Sequence, residues 1–200
     1  MRHWKAWLLL ALALWAGWTW WGNRPVARAA GVLAPDEPVQ VDFDAPQPPI
    51  TLEDATLRPL ARFSLQARVL SREDYRLDAE AELSPTDLAV GWGRMSDTAV
   101  LRDIDISQSG RFYYWQVQSF PIPRREIETH SANMHMIPAD ALVARELKRV
   151  RAGDIVALDG FLVEAEKPGG WRWHSSMTRT DTGAGACEVV YVRSLQIEPR

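Results

Sequence analysis

The pattern of hydrophobic and polar positions divides the chain into three parts, and the first is an uncharged apolar run from Ala6 to Gly22. At about 17 residues, this run is near the lower limit for a helix that crosses the hydrocarbon core of a membrane. Six of the ten tryptophans lie in or beside it, at both ends, where indole rings prefer the headgroup level. Residues 1–22 are therefore predicted to form a transmembrane signal anchor.

Positive charges flank the run on both sides. Arg2 and Lys5 precede it and favour a cytoplasmic N-terminus, whereas Arg24 and Arg28 follow it and weaken the asymmetry. A cleaved signal peptide is the competing interpretation, because residues 27–29 have the small-x-small form of a cleavage site. The retained anchor is preferred because bulky tryptophans crowd the far end of the run. The predicted protein is single-pass in the inner (plasma) membrane, with its soluble domain extracytoplasmic.

The second part, residues 23–58, is rich in proline and acidic residues. Proline breaks up helices and favours extended, semi-rigid chain, while the carboxylates keep such a segment solvated. This pattern predicts a Pro-rich tether between the anchor and the folded domain.

The third part, residues 59–200, is predicted to be a single soluble β-rich domain. Apolar and polar residues alternate with period two from Phe63 to Val69, the pattern of a half-buried strand. Further strands are predicted at 111–120, as a central strand, at 132–137, at 155–165 with a bend at Gly160, at 171–179 and at 187–197.

Two helices are predicted within this domain. Asp140 precedes apolar residues at helical spacing up to about Val150, and basic residues fill the second half of that helix. A shorter helix is predicted after Ser84, with Pro85 at its first position. The predicted fold class is therefore mainly β with a few short helices, an α+β domain behind an N-terminal transmembrane helix.

The sequence V-R-A-G-D-I-V-A-L-D-G-F-L-V-E-A, residues 150–165, is followed by a hairpin and a final strand. This arrangement resembles small Greek-key barrels of the OB-fold kind and implies an OB-like β-barrel with a binding surface on its strands and loops. The segments S-P-T-D-L-A-V-G-W-G-R-M-S-D, S-A-N-M-H-M-I-P-A and S-S-M-T-R-T-D-T-G-A-G-A-C-E are similar to uncharacterised bacterial membrane-anchored envelope proteins. That second resemblance implies no activity.

Composition excludes several classes of function. The formal net charge is -3 and both signs are mixed along the chain, so binding of a nucleic acid backbone is not predicted. The single cysteine, Cys187, cannot form an internal disulfide. A P-loop, a Rossmann glycine fingerprint, HExxH and GxSxG are all missing from the sequence. No metal site and no cofactor are predicted.

Cys187 is the main candidate for catalysis, because an imidazole can convert a thiol to the nucleophilic thiolate. His174 and His135 are the possible partners. With Gly185 and Ala186, His174 and Cys187 faintly resemble the active-site segments of L,D-transpeptidases, although the residues around the cysteine depart from that motif. A buried cysteine that opens an apolar strand is the alternative, and it is preferred.

Asp181-Thr182-Gly183-Ala184 matches the catalytic loop of retroviral-type aspartic proteases, which need two such aspartates. Only one D-T/S-G sequence occurs in this chain, so a solvated turn is the preferred interpretation.

A set of aromatic and arginine side chains is the candidate binding surface. Such residues can form a platform for sugar rings, a peptide or a partner protein, although each can equally be a core residue. The candidates are Trp92, Arg94, Arg111, Tyr113, Trp115, Trp171 and Trp173.

The leading functional hypothesis is a non-catalytic, membrane-anchored binding or scaffold module that recognises a protein partner or a cell-wall component. The alternative is a cysteine-dependent peptidoglycan-modifying enzyme that uses Cys187 with His174 or His135.

Overall fold

The computed structural model describes residues 24–181 and 185–200, together with Trp7, Leu9, Leu10, Leu12 and Leu14. Most of the predicted anchor, 1–22, lies outside the described residues. The five described positions within it are helical and their side chains are about half exposed or more. Among the described residues, no helix is both long and apolar enough to cross a membrane.

The domain is mainly β with a few short helices, which confirms the α+β part of the predicted fold class. Its strands are β1 (Val39–Asp42), β2 (Ile50–Thr51), β3 (Thr56–Asp74), β4 (Thr86–Gly91), β5 (Asp105–Ser109), β6 (Phe112–Gln116), β7 (Ser131–Pro138), β8 (Ile155–Lys167), β9 (Trp171–His174) and β10 (Glu188–Ile197). Its helices between residues 24 and 200 are a 3-10 turn (Gly93–Ser96), α1 (Thr98–Leu101), α2 (Arg124–Thr129) and α3 (Ala141–Arg149).

Eight strands form one sheet around β3. Hydrogen-bonded neighbours follow the order β1-β3-β4-β7-β10-β8-β9, and β2 also pairs with β3. β3 pairs with β8 as well, so the path β3-β4-β7-β10-β8 returns to its first strand. All pairs on this path are antiparallel except β7 with β10, which are parallel. The two remaining strands, β5 and β6, form a separate two-stranded sheet.

The main core lies on one face of the strands. Phe63, Leu65, Ala67 and Val69 of β3 are almost fully buried, as their alternation with polar residues predicted. Leu88 and Val90 of β4, the alternate residues 132, 134 and 136 of β7, and Val190 and Val192 of β10 complete the same cluster.

Gly160 lies where β8 passes closest to β10. A Cβ atom built on Gly160 would stand 2.0 Å from the carbonyl oxygen of Tyr191, so no other residue fits without backbone movement. A register shift between Val192 and Ser194 of β10 lies opposite this glycine. The predicted irregularity at Gly160 is therefore a close approach of two backbones.

The helix predicted from Asp140 is present as α3. The Asp140 carboxylate accepts hydrogen bonds from the backbone N–H groups of Leu142 and Val143, at 2.7 and 2.9 Å. Val143 and Leu147 bury the inner face of the helix in the main core.

Two element predictions are wrong. The residues after Ser84 form β4 rather than a helix, because Leu88 and Val90 alternate into the core as strand residues do. Residues 111–120 do not form a central strand, because β6 ends at Gln116 and pairs only with β5. The β5–β6 hairpin turns at Gly110 and Arg111, which both have positive φ as a type I′ turn requires.

The predicted tether, 23–58, is also corrected where it is described. Val26 N–H donates to the Ala152 carbonyl at 2.7 Å, and Ala34 is fully buried with its N–H on the Ser96 hydroxyl. β1 then adds to the edge of β3. The segment from residue 24 onward packs against the domain. Its prolines keep the chain extended, and hydrogen bonds to the domain satisfy its backbone groups.

Candidate functional site

A cleft of about 370 Å³ opens between the β5–β6 hairpin, the first half of β7 and the loop that leads into β10. Aromatic, charged, amide, hydroxyl and thiol side chains meet in this cleft. Its lining comprises Phe112, Tyr113, Tyr114, Trp115, Arg124, Glu128, Ser131, Ala132, Asn133, Asp181, Ala186 and Cys187.

The hairpin supplies an aromatic wall. Phe112 and Tyr114 are 40% and 50% exposed, and their ring centroids lie 6.4 Å apart. Both side chains lie on the solvent face of β6 because residues two apart along a strand share a face. Exposed neighbouring rings of this kind offer apolar area to a ligand at little entropic cost.

The opposite face of β6 anchors the wall to the domain. Trp115 packs edge-on against Phe120 at 6.2 Å, and the Arg124 guanidinium lies 6.0 Å from the Trp115 ring. The Tyr113 hydroxyl donates to the Ser131 hydroxyl at 3.2 Å, and burial raises the pKa of Tyr113 to about 12. Tyr113 is therefore a neutral hydrogen-bonding group at neutral pH.

The floor of the cleft is polar and is organised by Asn133. Its amide nitrogen donates to the Arg111 carbonyl at 3.0 Å and lies 3.7 Å from the sulfur of Cys187. Its amide oxygen accepts from the Gln108 side chain at 2.7 Å. These contacts fix the orientation of the amide, so the floor is rigid.

Cys187 lies on this floor as a protonated thiol. Burial, followed by the negative charges of Glu188, Asp87 and Asp181, raises the pKa of Cys187 to about 11, and the Asn133 amide opposes this only in part. A thiol with such a pKa is almost wholly un-ionised at pH 7, which is the opposite of what cysteine nucleophiles need.

The structure does not join Cys187 to a histidine. Among the described residues, the hydrogen bonds of its sulfur involve only Asn133 and the Arg111 carbonyl. The His174 side chain is 59% exposed and faces Glu164 at 4.0 Å. His135 is buried and its Nδ1 lies 2.9 Å from Asp87 Oδ2, with its ring 4.5 Å from that of Trp173.

Arg111 forms the support behind the cleft. Its guanidinium donates to Asp87 Oδ1 at 2.8 Å, to Asp78 Oδ1 at 2.6 Å and to the Ser84 carbonyl at 2.9 Å, and it covers the ring of Tyr75 at 3.8 Å. Burial alone would lower the pKa of Arg111, but the two carboxylates outweigh it and raise the pKa above its usual value. This network ties the hairpin turn to the loop before β4 and to β4 itself.

A second buried carboxylate, Glu188, begins β10. Arg179 donates to its Oε1 at 2.8 Å, while Oε2 is buried and has no hydrogen-bond partner among the residues that the structure describes. Burial raises the pKa of Glu188 to about 7, although the positive charge of Arg179 opposes the shift.

The predicted binding residues do not form one surface. Tyr113 and Trp115 line the cleft, but Trp92 is 1% exposed and belongs to the main core. Arg94 pairs with Glu126 on the surface. Trp171 and Trp173 pack against each other on β9, with centroids 6.0 Å apart. Trp92 is thus a core residue, and its candidacy as a binding residue is corrected.

Sequence reasoning missed Phe112, Tyr114 and Asn133 as lining residues. The first two lie within the predicted strand 111–120, but which face of that strand is exposed depends on its partner strand. Asn133 carries no local signal at all, because its role comes from residues 22 and 54 positions away.

The remaining sequence motifs contribute little chemistry. Of the Asp-Thr-Gly-Ala motif, residues 182–184 lie outside the described residues, and Asp181 accepts a hydrogen bond from the Ser176 hydroxyl at 2.7 Å. In the described part of the chain, no three His, Cys, Asp or Glu side chains are grouped so that they could hold a metal ion.

Comparison with known proteins returned no matching family model, no matching curated protein and no matching solved structure. The case for a function therefore rests on the geometry of the cleft.

Proposed function

We propose that this protein is a membrane-anchored, extracytoplasmic binding module whose cleft recognises a glycan-containing cell-wall component. The observation that carries the proposal is the cleft itself. Phe112 and Tyr114 contribute exposed aromatic rings to its lining, and Ser131, Asn133 and the un-ionised thiol of Cys187 contribute polar groups. Apolar area with a few fixed polar groups is the usual make-up of a ligand site.

The strand pattern supports an OB-like barrel as the framework. In chain order, β3 is the first of the five strands on this path, β4 the second, β7 the third, β8 the fourth and β10 the fifth. Their order in the sheet is first, second, third, fifth, fourth and back to the first. A helix, α3, connects the third and fourth of these strands. OB-fold barrels have five strands and bind oligosaccharides or oligonucleotides on the face of strands two and three. The cleft lies over β7, the third strand of this ring.

The charges of the cleft favour an uncharged or mixed-charge ligand. Arg124 contributes one positive charge, while Glu128 and Asp181 contribute negative ones. Arg124 is paired with Glu128 at 2.8 Å, so Asp181 leaves the lining with a net negative charge, which would repel a polyanion such as a nucleic acid. Sugar rings and short peptides, the two constituents of peptidoglycan, fit aromatic rings and amide groups without this cost.

Anchoring is supported by the N-terminal segment. Trp7, Leu9, Leu10, Leu12 and Leu14 are helical, and each side chain is about half exposed or more. Large apolar side chains that are exposed close to one another are typical of an interaction site or a membrane segment.

The test is co-sedimentation of the full-length, detergent-solubilised protein with purified peptidoglycan sacculi. Tyr114→Ala should weaken binding about tenfold, the loss expected for a central aromatic contact. The matched control is Leu77→Ala, which truncates a fully exposed apolar side chain that is not part of the cleft lining and should leave binding unchanged. Equal binding by the two variants, or no sedimentation of the wild type, would refute the proposal.

A further inference from the structure

The end of the domain that joins the N-terminal segment carries a cluster of basic residues. The continuous described chain begins at Arg24, and Arg28 then donates to the Gly153 carbonyl at 3.1 Å and to the Pro199 carbonyl at 3.2 Å. With the Val26–Ala152 hydrogen bond, these contacts fix where the chain arrives from the anchor. The basic residues at this end are Arg24, Arg28, Arg72, Arg145, Lys148, Arg149, Arg151 and Arg200; together they are called the basic end.

Helix α3 forms the exposed rim of the basic end. Arg145, Lys148 and Arg149 are exposed on its surface, as is Leu142, at 58%. Arg72 donates to the carbonyls of residues 148 and 150, and Arg200 donates to that of Arg149. Side chains from β3 and from the chain after β10 therefore meet at the C-terminus of α3.

Four acidic groups near these cations are already engaged. Asp74, Glu146 and Asp154 lie within 2.9 Å of Arg72, Arg149 and Arg200 respectively. Glu198 is hydrogen-bonded to Gln66. These partners leave Arg145 and Lys148 as exposed cations.

The opposite end of the domain carries the opposite charge. β8 begins at Ile155, beside the basic end, and finishes at Lys167, which lines a pocket of about 530 Å³. The other charged residues of that pocket, Glu53, Asp54 and Glu82, are all acidic. The charge of the domain is thus separated along β8, although the whole chain has a formal net charge of only -3.

We infer that the basic end docks on the anionic phospholipid headgroups of the membrane that holds the anchor. Cations next to a membrane segment are attracted by the negative surface potential of acidic lipids, and this attraction extends over about one Debye length. The anchor delivers the chain to this same end, so docking needs no rearrangement of the domain. The acidic end then faces away from the bilayer. This inference rests on the anchoring contained in the proposed function.

The test uses the full chain in nanodiscs of neutral phosphatidylcholine, or of the same lipid with about 30% anionic phosphatidylglycerol. A spin label at Leu142→Cys, in a Cys187→Ser background, reports exposure to a water-soluble nickel chelate. We expect exposure in anionic discs to fall about threefold relative to neutral discs and to recover in about 0.5 M salt, which shortens the Debye length.

Charge-reversal variants distinguish an effect of the basic end from an effect of the protein's net charge. Arg145→Glu with Lys148→Glu should abolish the difference between the two lipids. Arg62→Glu with Arg172→Glu makes the same change of charge at exposed positions elsewhere and should preserve it. Equal label exposure in both lipids, with the protein incorporated into each, would overturn the docking while leaving the anchoring intact. Failure to incorporate into either disc would overturn the anchoring and the docking together.

Discussion

The Arg111 guanidinium lies 2.8 Å from the Asp87 carboxylate, whose side chain is completely buried. The two residues are 24 positions apart, one in a hairpin turn and the other in the middle of the sheet. Asp87 also faces His135 at 2.9 Å, so one carboxylate joins the hairpin, β4 and β7. The aromatic wall of the cleft depends on this junction for its position.

We predict that Arg111→Ala lowers the free energy of unfolding by about 3–5 kcal/mol, because it leaves the buried Asp87 charge without its partner. Urea denaturation measures the change. Arg172→Ala removes a guanidinium whose side chain is 66% exposed and should change stability by less than about 0.5 kcal/mol. A similarly small effect for Arg111→Ala would show that the network contributes little.

Gly160→Ala is predicted to destabilise the domain by about 2–4 kcal/mol, because the new methyl group would overlap the Tyr191 carbonyl and push β8 from β10. Thermal unfolding measures this loss. Ala157→Ser, at a half-buried position of the same strand, adds one atom to a residue that already has a Cβ. Its melting temperature should stay close to that of the wild type, and an equal loss in both variants would contradict the close-approach explanation.

Glu188 predicts a specific dependence of stability on pH. Its pKa is raised by burial from an ordinary value near 4.5 to about 7, so between these pH values the folded state holds more protons than the unfolded state. The stability that this group contributes is full below pH 4.5 and is lost as pH rises through 7. Chemical denaturation from pH 5 to pH 8 should show the wild type losing about 2–3 kcal/mol relative to Glu188→Gln. Parallel curves for the two proteins would count against a protonated, buried Glu188.

Cys187 should react slowly with iodoacetamide at pH 7, and its rate should rise about tenfold per pH unit toward pH 11, since the thiolate is the reactive form. The urea-unfolded chain supplies the control, because its thiol recovers an ordinary pKa and reacts faster at pH 7. Rapid labelling of the folded protein at pH 7 that His174→Ala abolishes would instead favour the cysteine-dependent enzyme.

Features that depend on neighbouring residues could be predicted from the sequence. The alternation from Phe63 to Val69 predicted strand β3, since a half-buried strand must place every second side chain in the core. Asp140 predicted the start of α3, because its side chain caps backbone N–H groups two and three positions away. Gly160 predicted the irregular point of β8, because glycine within a strand is typical of a bulge or a close backbone contact.

Features that depend on distant residues were decided only by the tertiary structure. Ser84 and Pro85 form a good local start for a helix, but the burial of Leu88 and Val90 stabilises a strand instead. The prolines of residues 24–58 predict extended chain, while hydrogen bonds to residues 96 and 152 decide that this chain is docked. Likewise, the sequence alone determined that the domain is mainly β and that aromatic residues cluster in 112–115. Which of those rings face solvent, and that Asn133 and Cys187 lie beside them, follows from strand pairing, because pairing between remote segments selects the face of each strand that is covered.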